Sequence, residues 1–390
     1  MILKNLKLRQ FRNFSDESVK VDARFVLIIG ENGQGKTNLL ESIHFVGTGK
    51  SWRTKNHNEL IKINEEYSSV YAEFSKNTLN KKVEITLNNN GEKLIKVNGK
   101  GINAEREYFG EINIVNFSPE DINIISGPPV ARRNFINFFM SQFSRLYKEH
   151  LMSYNRIVSQ RNRILYLMQK NGQSNKQQEK MFEVWTEQFI EEGLWITEKR
   201  IYSLMKFAEY FKKFYSLLNN EAKEITDKVM VLYRSSLGFC KELNPEHVDF
   251  VDAKFFNQDF NAVFRNRLNE LKEKEIKYQE TMIGPHRDDI IFVLDGFDAR
   301  KFASRGEQRL LSLALKLASY KIIEETLNEP PIILIDDVLS ELDENRKSRF
   351  LKNLNNGAQI FIAGTDERIF SAFDSNSITK LKVKDGKISC

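Results

Sequence analysis

Apolar and polar positions follow three different rhythms along this 390-residue chain. In the first hundred residues the apolar runs are short and bounded by turn formers. Phe25, Val26, Leu27, Ile28 and Ile29 are continuous, the pattern of a strand buried on both faces. Residues 70–74, 83–87 and 94–97 are further strand candidates, separated by the turns Asn88-Asn-Asn-Gly91 and Asn98-Gly99, and they predict an antiparallel sheet flanking the first strand. From Asn134 the period lengthens. Phe135, Phe138, Phe139, Phe143, Leu146, Tyr147, Leu151 and Tyr154 recur at helical spacing, as do Phe182, Trp185, Phe189, Ile201, Leu204, Ala208 and Phe211. This predicts long helices packed through an aromatic stripe, with the polar stretch 171–178 connecting two of them. After Ile283 short runs return. Residues 331–337 form an apolar strand ending in two carboxylates, 358–364 form another, and 378–388 read as a hairpin turning at Asp385-Gly386. The predicted organisation is a head of residues 1–120 and 283–390, interrupted by a helical lobe at 121–282. No internal repeat is visible.

The strand at 25–29 runs directly into Gly30-Glu-Asn-Gly-Gln-Gly-Lys-Thr37, a complete G-x-x-x-x-G-K-[ST] loop. Its glycines let successive backbone N–H groups turn toward one anionic centre. Lys36 can reach β- and γ-phosphates, and the Thr37 hydroxyl can hold Mg²⁺. Gly30, Glu31, Asn32, Gly33, Gln34, Gly35, Lys36 and Thr37 are therefore the expected binding residues for a nucleoside triphosphate. The strand at 331–337 supplies the other half: Asp336 is placed to hold the Mg²⁺ water shell, and Asp337 to orient or deprotonate the attacking water. A strand leaving the core through acidic residues has an ordinary solvation explanation too, so the pair gains weight only beside the loop. Upstream stands Ser304-Arg-Gly-Glu-Gln-Arg309, opening the helical stretch 310–318. Ser304 and Gly306 offer a hydroxyl, an open N–H and the positive end of a helix dipole to a second phosphate. The same residues also read as a capping box, Ser304 with Glu307.

The order of loop, long insert, Ser-x-Gly-x-Gln helix start and acidic strand, followed by Ser340-Glu-Leu-Asp343, resembles the ATP-binding-cassette (ABC) ATPases. More narrowly, the chain resembles the RecF family of bacterial DNA-repair ATPases, relatives of the chromosome-maintenance (SMC) proteins. The resemblance rests on Leu6-Lys-Leu-Arg-Gln-Phe-Arg-Asn-Phe14, residues 47–60, Phe117-Ser-Pro-Glu-Asp121, residues 127–133, Ile283-Gly-Pro-His-Arg-Asp-Asp289 and Thr365-Asp366, and runs nearly end to end. It implies an α/β fold: an ABC-type P-loop ATPase head, parallel core sheet plus antiparallel sheet, with the helical lobe as a short arm. It implies two ATP molecules sandwiched between two heads, each closed by Ser304 and Gly306 of the other copy. Lys36, Asp336, Asp337, Ser304 and Gly306 would then carry a slow, DNA-stimulated, dimer-dependent ATPase, with Thr37 and Asp336 on Mg²⁺. It further implies an ATP-dependent homodimer on DNA at single-/double-strand junctions, in recombinational repair and replication-fork maintenance. RecR and RecO are the implied mediator partners, with recombinase loading at single-strand gaps and SOS induction as outcomes. Asp337 takes the place where transporters of the class carry Glu, a shorter carboxylate suited to slow turnover. Ser118 or Glu120 stands where relatives have a γ-phosphate-sensing Gln, and Asp366 where many have His. The alternatives are a DNA-structural module that holds nucleotide without significant turnover, a P-loop kinase, or another ABC-type head such as a transporter's.

Charge selects among macromolecular partners. The net charge of +6 and pI near 9.0 are a mild bias, yet residues 131–170 hold eight basic residues against the single acid Glu149. Arg156 and Arg163, two helical turns apart, share a face and can track a phosphate backbone; Arg132, Arg133, Lys50 and Arg53 are further candidates. DNA is the expected partner through phosphate contacts without base readout, although a charge run is also simply a solvated face. Only Cys240 and Cys390 occur, outside any ligand spacing, so neither disulfide nor zinc site is expected. His286 has no second His or Cys near it, and the turn Arg287-Asp288-Asp289 beside it points to a contact near the nucleotide. With no apolar run of about eighteen residues and no secretory leader, a cytoplasmic, nucleoid-associated protein is expected.

Overall fold

The computed structural model describes residues 1–21, 23–76, 79–102, 108, 110–170, 176–219, 228–243, 258–354, 357–365 and 378–390. By their contacts these fall into two compact units, one drawn from 1–121, 217–219 and 315–390, the other from 122–216 and 220–314.

The first unit holds two six-stranded sheets. In one, Phe25–Ile29 lies between Ile360–Gly364 and Ile378–Lys384, and the ladder continues through Ile332–Asp336 to Ile114–Phe117, every pair parallel; Lys387–Ser389 adds an antiparallel edge. All residues of 114–117, 332–336 and 360–364 are buried, which is why the last two read as apolar runs and not as alternation; 114–117, interrupted by Asn116, was not read as a strand from the sequence. Only Ile360–Gly364 separates Phe25–Ile29 from Ile332–Asp336. Because all three run parallel, the loop after Ile29 and the carboxylates at 336–337 leave the same edge of the sheet, where open α/β sheets bind ligands.

The second sheet is antiparallel, ordered Phe14–Lys20, Ile2–Phe11, Tyr67–Lys76, Leu79–Asn88, Lys93–Val97 and Lys100–Ile102. The three expected strands at 70–74, 83–87 and 94–97 lie within its members, and Asn98 and Gly99 have the positive φ (50° and 80°) that a two-residue hairpin turn needs. The first two strands were not read as strands from the sequence. In Ile2–Phe11 a register shift between Leu3 and Asn5 breaks the alternation, although Leu3, Leu6, Leu8 and Phe11 all reach the core. That core also takes in Leu40, Phe45 and Val46 of the helix Lys36–Thr48, together with Val70, Ile85, Ile332 and Phe361. Burying each such side chain contributes roughly 1.5–3 kcal/mol, so the helix that carries the loop is firmly seated.

The second unit contains the helices Pro129–Phe143, Arg145–Lys170, most of Lys176–Asn219 and Gln258–Tyr278. Of the aromatic stripe, Phe139, Tyr147, Tyr154, Phe189 and Phe211 are buried and Phe135, Phe138 and Phe143 half-buried, while Leu146 departs from it at 55 % exposed. Beside the helices lies a four-stranded antiparallel sheet, ordered Cys240–Glu242, Val229–Arg234, Asp289–Leu294 and Phe297–Asp298, which helical periodicity did not announce. The helix Arg305–Leu327 contributes residues 305–314 to this unit and 315–327 to the first. Of the connection expected at 171–178, residues 171–175 lie outside the described residues, and a helix resumes at Lys176; Asp366 also lies outside them. Among the described residues no helix is long and apolar enough to cross a membrane.

Candidate nucleotide site

The loop 30–37 is shaped by side chains far away in sequence. Gly35 caps the helix Lys36–Thr48 in the left-handed region (φ 116°), and a Cβ there would lie 2.5 Å from Asn13 Nδ2, so only glycine fits. Asn13 Nδ2 donates to the Gln34 carbonyl (2.9 Å) while Asn13 Oδ1 accepts from Asn38 Nδ2 (2.9 Å). From the C-terminal hairpin, the Asp385 N–H donates to Gln34 Oε1 at 2.5 Å. Lys36 is buried, and its ammonium donates to the carbonyl oxygens of Gly30 (2.8 Å) and Glu31 (3.0 Å). A full positive charge therefore lies within the loop, at the N-terminal end of its helix.

The acidic strand meets this loop through Thr37, whose Oγ1 donates to Asp336 Oδ1 at 3.0 Å. Burial pushes the Asp336 carboxyl up to about 6; the Thr37 hydrogen bond opposes the shift, the charges of Asp337 and Glu120 add to it, and Arg53 opposes it. Since the folded value exceeds the usual 3.8, the folded chain holds this proton more tightly than the unfolded one. The group therefore costs stability progressively as pH rises through that window, and a bound cation would relieve the cost. An all-oxygen donor set of one hydroxyl and one carboxylate suits Mg²⁺, which keeps most of its waters. Asp337 follows in the left-handed region (φ 51°), and its side chain makes no capping hydrogen bond to the turn Val338–Glu341. Its backbone is fixed by Ser340, whose hydroxyl and N–H both donate to the Asp337 carbonyl (2.6 and 3.2 Å). The Asp337 backbone is thus held in place, while its carboxylate is not used as a cap.

Behind the loop, Glu41 is fully buried and accepts from Arg12 through both oxygens (2.8 Å each), from Ser51 Oγ (2.5 Å) and from Arg53 Nη1 (3.2 Å), which also donates to Asn38 (2.8 Å). Arg53, expected on DNA, is anchored here with its charge acting on Asp336; Lys50 is exposed nearby. Arg12 and Glu41 were not singled out from the sequence, although Arg12 lies in the Phe-Arg-Asn-Phe stretch that carried the resemblance. Of the two residues offered for the sensing position, Ser118 is buried and its N–H donates to Asp121 (2.8 Å), whereas Glu120 is exposed and acts on Asp336.

Ser304 and Gly306 lie in the second unit, on its surface. Ser304 forms the capping box: its N–H and hydroxyl both donate to Glu307 Oε2 (2.7 Å each), and its Oγ accepts from the Glu307 N–H (3.3 Å). Among the described residues nothing lies within 4 Å of a Cβ built on Gly306. The helix start is thus both capped and exposed.

The basic segment separates into committed and uncommitted cations. Arg132 is 3 % exposed and makes a two-point ion pair with Asp289 (2.8 and 3.0 Å) plus a hydrogen bond to the Gly127 carbonyl (2.8 Å), so the expectation that it contacts DNA phosphate is corrected. Arg133 is half-buried and donates to the Asp288 carbonyl (2.9 Å). Arg161 is buried on Glu275 (2.7 Å) and Thr281 (2.8 Å), Lys148 is buried, and Arg145 pairs with Glu149 (3.0 Å). Arg156, Arg163 and Lys170 are exposed and have no hydrogen-bond or ion-pair partner among the described residues. Spaced seven residues apart on the helix Arg145–Lys170, they repeat every ~10.5 Å along one face. His286 instead belongs to the interior of the second unit. Its Nδ1 lies 2.6 Å from the Tyr154 hydroxyl, and burial lowers its pKa to about 4.

A family model described as the RecF/RecN/SMC N terminal domain matches residues 2–389. The chain is 32 % identical over 393 residues to the DNA replication and repair protein RecF of Bacillus cytotoxicus, covering 100 % of this chain and 99 % of that protein. It is 35 % identical to that of Bacillus velezensis over 365 residues, 94 % of this chain and 93 % of that one. A solved structure of the recombination mediator protein RecF with ATP, in the RecFOR pathway, aligns with TM-score 0.86 at 34 % identity over 99 % of this chain and 96 % of its own. A Pyrococcus furiosus Smc head domain bound to the C-terminal domain of ScpA shares the fold at 16 % identity and TM-score 0.51, over 99 % and 95 %.

Proposed function

The chain belongs to the RecF family within the RecF/RecN/SMC N-terminal domain group, and from that premise we propose that it is an ATP-dependent DNA clamp of recombinational repair and replication-fork maintenance. ATP brings two copies together on DNA, and slow hydrolysis releases them. The single observation that carries this reading is the loop 30–37, with the Lys36 ammonium inside it, joined through Thr37 to Asp336. The similar structure of RecF with ATP supports the choice of nucleotide.

In this reading Mg²⁺, held by Thr37 and Asp336, supplies charge neutralisation at the phosphate oxygens. The backbone N–H groups of 33–37 and the Lys36 ammonium bind the β- and γ-phosphates, Lys36 exchanging its two carbonyl partners for them. Asp337 orients the attacking water and accepts its proton at a carboxylate oxygen. The Ser304 hydroxyl and Gly306 N–H of the second copy close over the γ-phosphate. A kinase reading would leave that exposed helix start without a role. RecR and RecO as partners, support of recombinase loading and SOS induction, DNA stimulation of turnover, and a nucleoid-associated place in the cytoplasm belong to the same proposal.

The test of the composite site is Ser304→Arg. Monomeric ATP affinity is expected to stay within about twofold while ATP-dependent association, read by sedimentation with and without DNA, is lost. Loss of binding in the monomer would show that Ser304 serves its own subunit. For DNA, the three free cations on the helix Arg145–Lys170 support a backbone track. Neutralising Arg156, Arg163 and Lys170 together to Gln is expected to reduce the slope of log affinity against log salt by roughly 2.7 on duplex and roughly 2 on single strands. An unaltered slope would move the DNA surface elsewhere.

A further inference from the structure

Two phenylalanines stand in solvent beside the Ser304 helix start. Phe297, in the strand Phe297–Asp298, is 58 % exposed, and Phe302, ending the short helix Ala299–Phe302, is 68 % exposed; their ring centroids are 5.4 Å apart. An aromatic side chain offers on the order of 200 Å² of surface, so at these exposures the pair leaves roughly 250 Å² of contiguous apolar surface in solvent. The patch is held out by its scaffold. Phe297 and Asp298 pair with Leu294 and Val293, Asp298 accepts the Arg300 N–H (3.0 Å), and Gln308 donates to the Ala299 carbonyl (3.1 Å), tying the patch to the helix that Ser304 begins. Lys301 and Arg305, both exposed and without a partner among the described residues, flank it. The arrangement is an aromatic centre with a cationic rim, the composition of an interface core.

The complementary surface is the nucleotide edge of the first unit. Glu31, Glu120, Glu341, Asp343 and Glu344 are exposed there, Asp337 is half-buried, and a bound triphosphate adds further negative charge. We propose that Phe297 and Phe302 anchor the ATP-dependent association of this chain with a second copy of itself, docking on the acidic nucleotide edge of that copy. The inference rests on the dimer of the proposed function and adds what holds it together: an apolar anchor within a few residues of Ser304, with Lys301 and Arg305 matching the opposing charge. In a twofold dimer the patch is used twice, so each substitution is felt twice.

The experiment uses the full chain with Phe297→Ser and Phe302→Ser combined, alongside Ser304→Arg. Both rings are exposed, so the thermal transition without nucleotide is expected to be unchanged, and fluorescent ATP analogue binding at concentrations too low for association likewise. The ATP-dependent dimer dissociation constant is expected to rise on the order of 100-fold, roughly tenfold for each of the two symmetric patches. The Leu/Leu version is expected to recover a large part of that loss. If Ser304→Arg blocks association and the Ser/Ser variant dimerises normally, this inference falls and the proposed function stands. If the wild-type chain forms no dimer with ATP, both fall. If the Ser/Ser variant loses DNA binding with dimerisation intact, the patch faces nucleic acid and the inference is overturned.

Discussion

Lys36→Met is expected to lower ATP affinity by on the order of 100-fold or more and to abolish nucleotide-dependent dimerisation and turnover. The ammonium is the positive charge that the loop folds around, donating to the Gly30 and Glu31 carbonyls. Contacts from a full charge to phosphate oxygens are about twice as strong as neutral ones. Methionine fills a similar volume, so the loss is electrostatic and not a collapse of the helix Lys36–Thr48. It does leave two loop carbonyls without a donor, at a cost of about 1–3 kcal/mol for each that stays buried. Thermal unfolding therefore has to be followed with and without ATP. Wild type gains stability as ATP rises above its dissociation constant; the variant is expected to start at a lower transition and gain almost nothing. A variant that still shifts with ATP and still pairs would sink the assignment of Lys36.

Asp337→Asn is expected to leave ATP binding and association within about twofold and to reduce turnover by roughly 100-fold or more, the range attributed to a lost general base. The substitution is unusually clean here. Asp337 sits in the left-handed region, which Asn tolerates as well as Asp, and its side chain caps nothing. The backbone contacts from Ser340 persist, because they go to the carbonyl. What disappears is the ability to take a proton. Single-turnover measurement on preassembled dimers reads this step directly. An unchanged rate would favour the rival in which nucleotide is held structurally and hydrolysis is incidental.

The parts legible before the fold was known were the local ones. An uninterrupted apolar run before a glycine-rich octet is recognisable because both features are set by neighbours in sequence, and the structure places Phe25–Ile29 and the helix Lys36–Thr48 accordingly. The capping box was legible for the same reason, three residues being one helical turn. The strand Ile2–Phe11 was hidden by its register shift, and Val229–Arg234 by lying in a segment where helical periodicity dominates on both sides. The clasp on the loop from Asn13 and Asp385 had no local signal, because it depends on which turns the two sheets bring to one edge.

By itself, then, the amino-acid order determined the phosphate loop, the acidic strand that accompanies it, the exposed serine-glycine helix start and the family to which they point, since each is written in residues within a turn or a strand of one another. Which cations are free was decided only by tertiary structure. In the linear chain Arg132, Arg161, Arg156 and Arg163 are alike. Folding gives Arg132 to Asp289 and Arg161 to Glu275, carboxylates more than a hundred positions away, and leaves Arg156, Arg163 and Lys170 in solvent. The same holds for Asp336, whose proton affinity rises because burial and the neighbouring carboxylates of Asp337 and Glu120 disfavour its charge. A long-range field depends on distances through space, and those do not exist until the chain has folded.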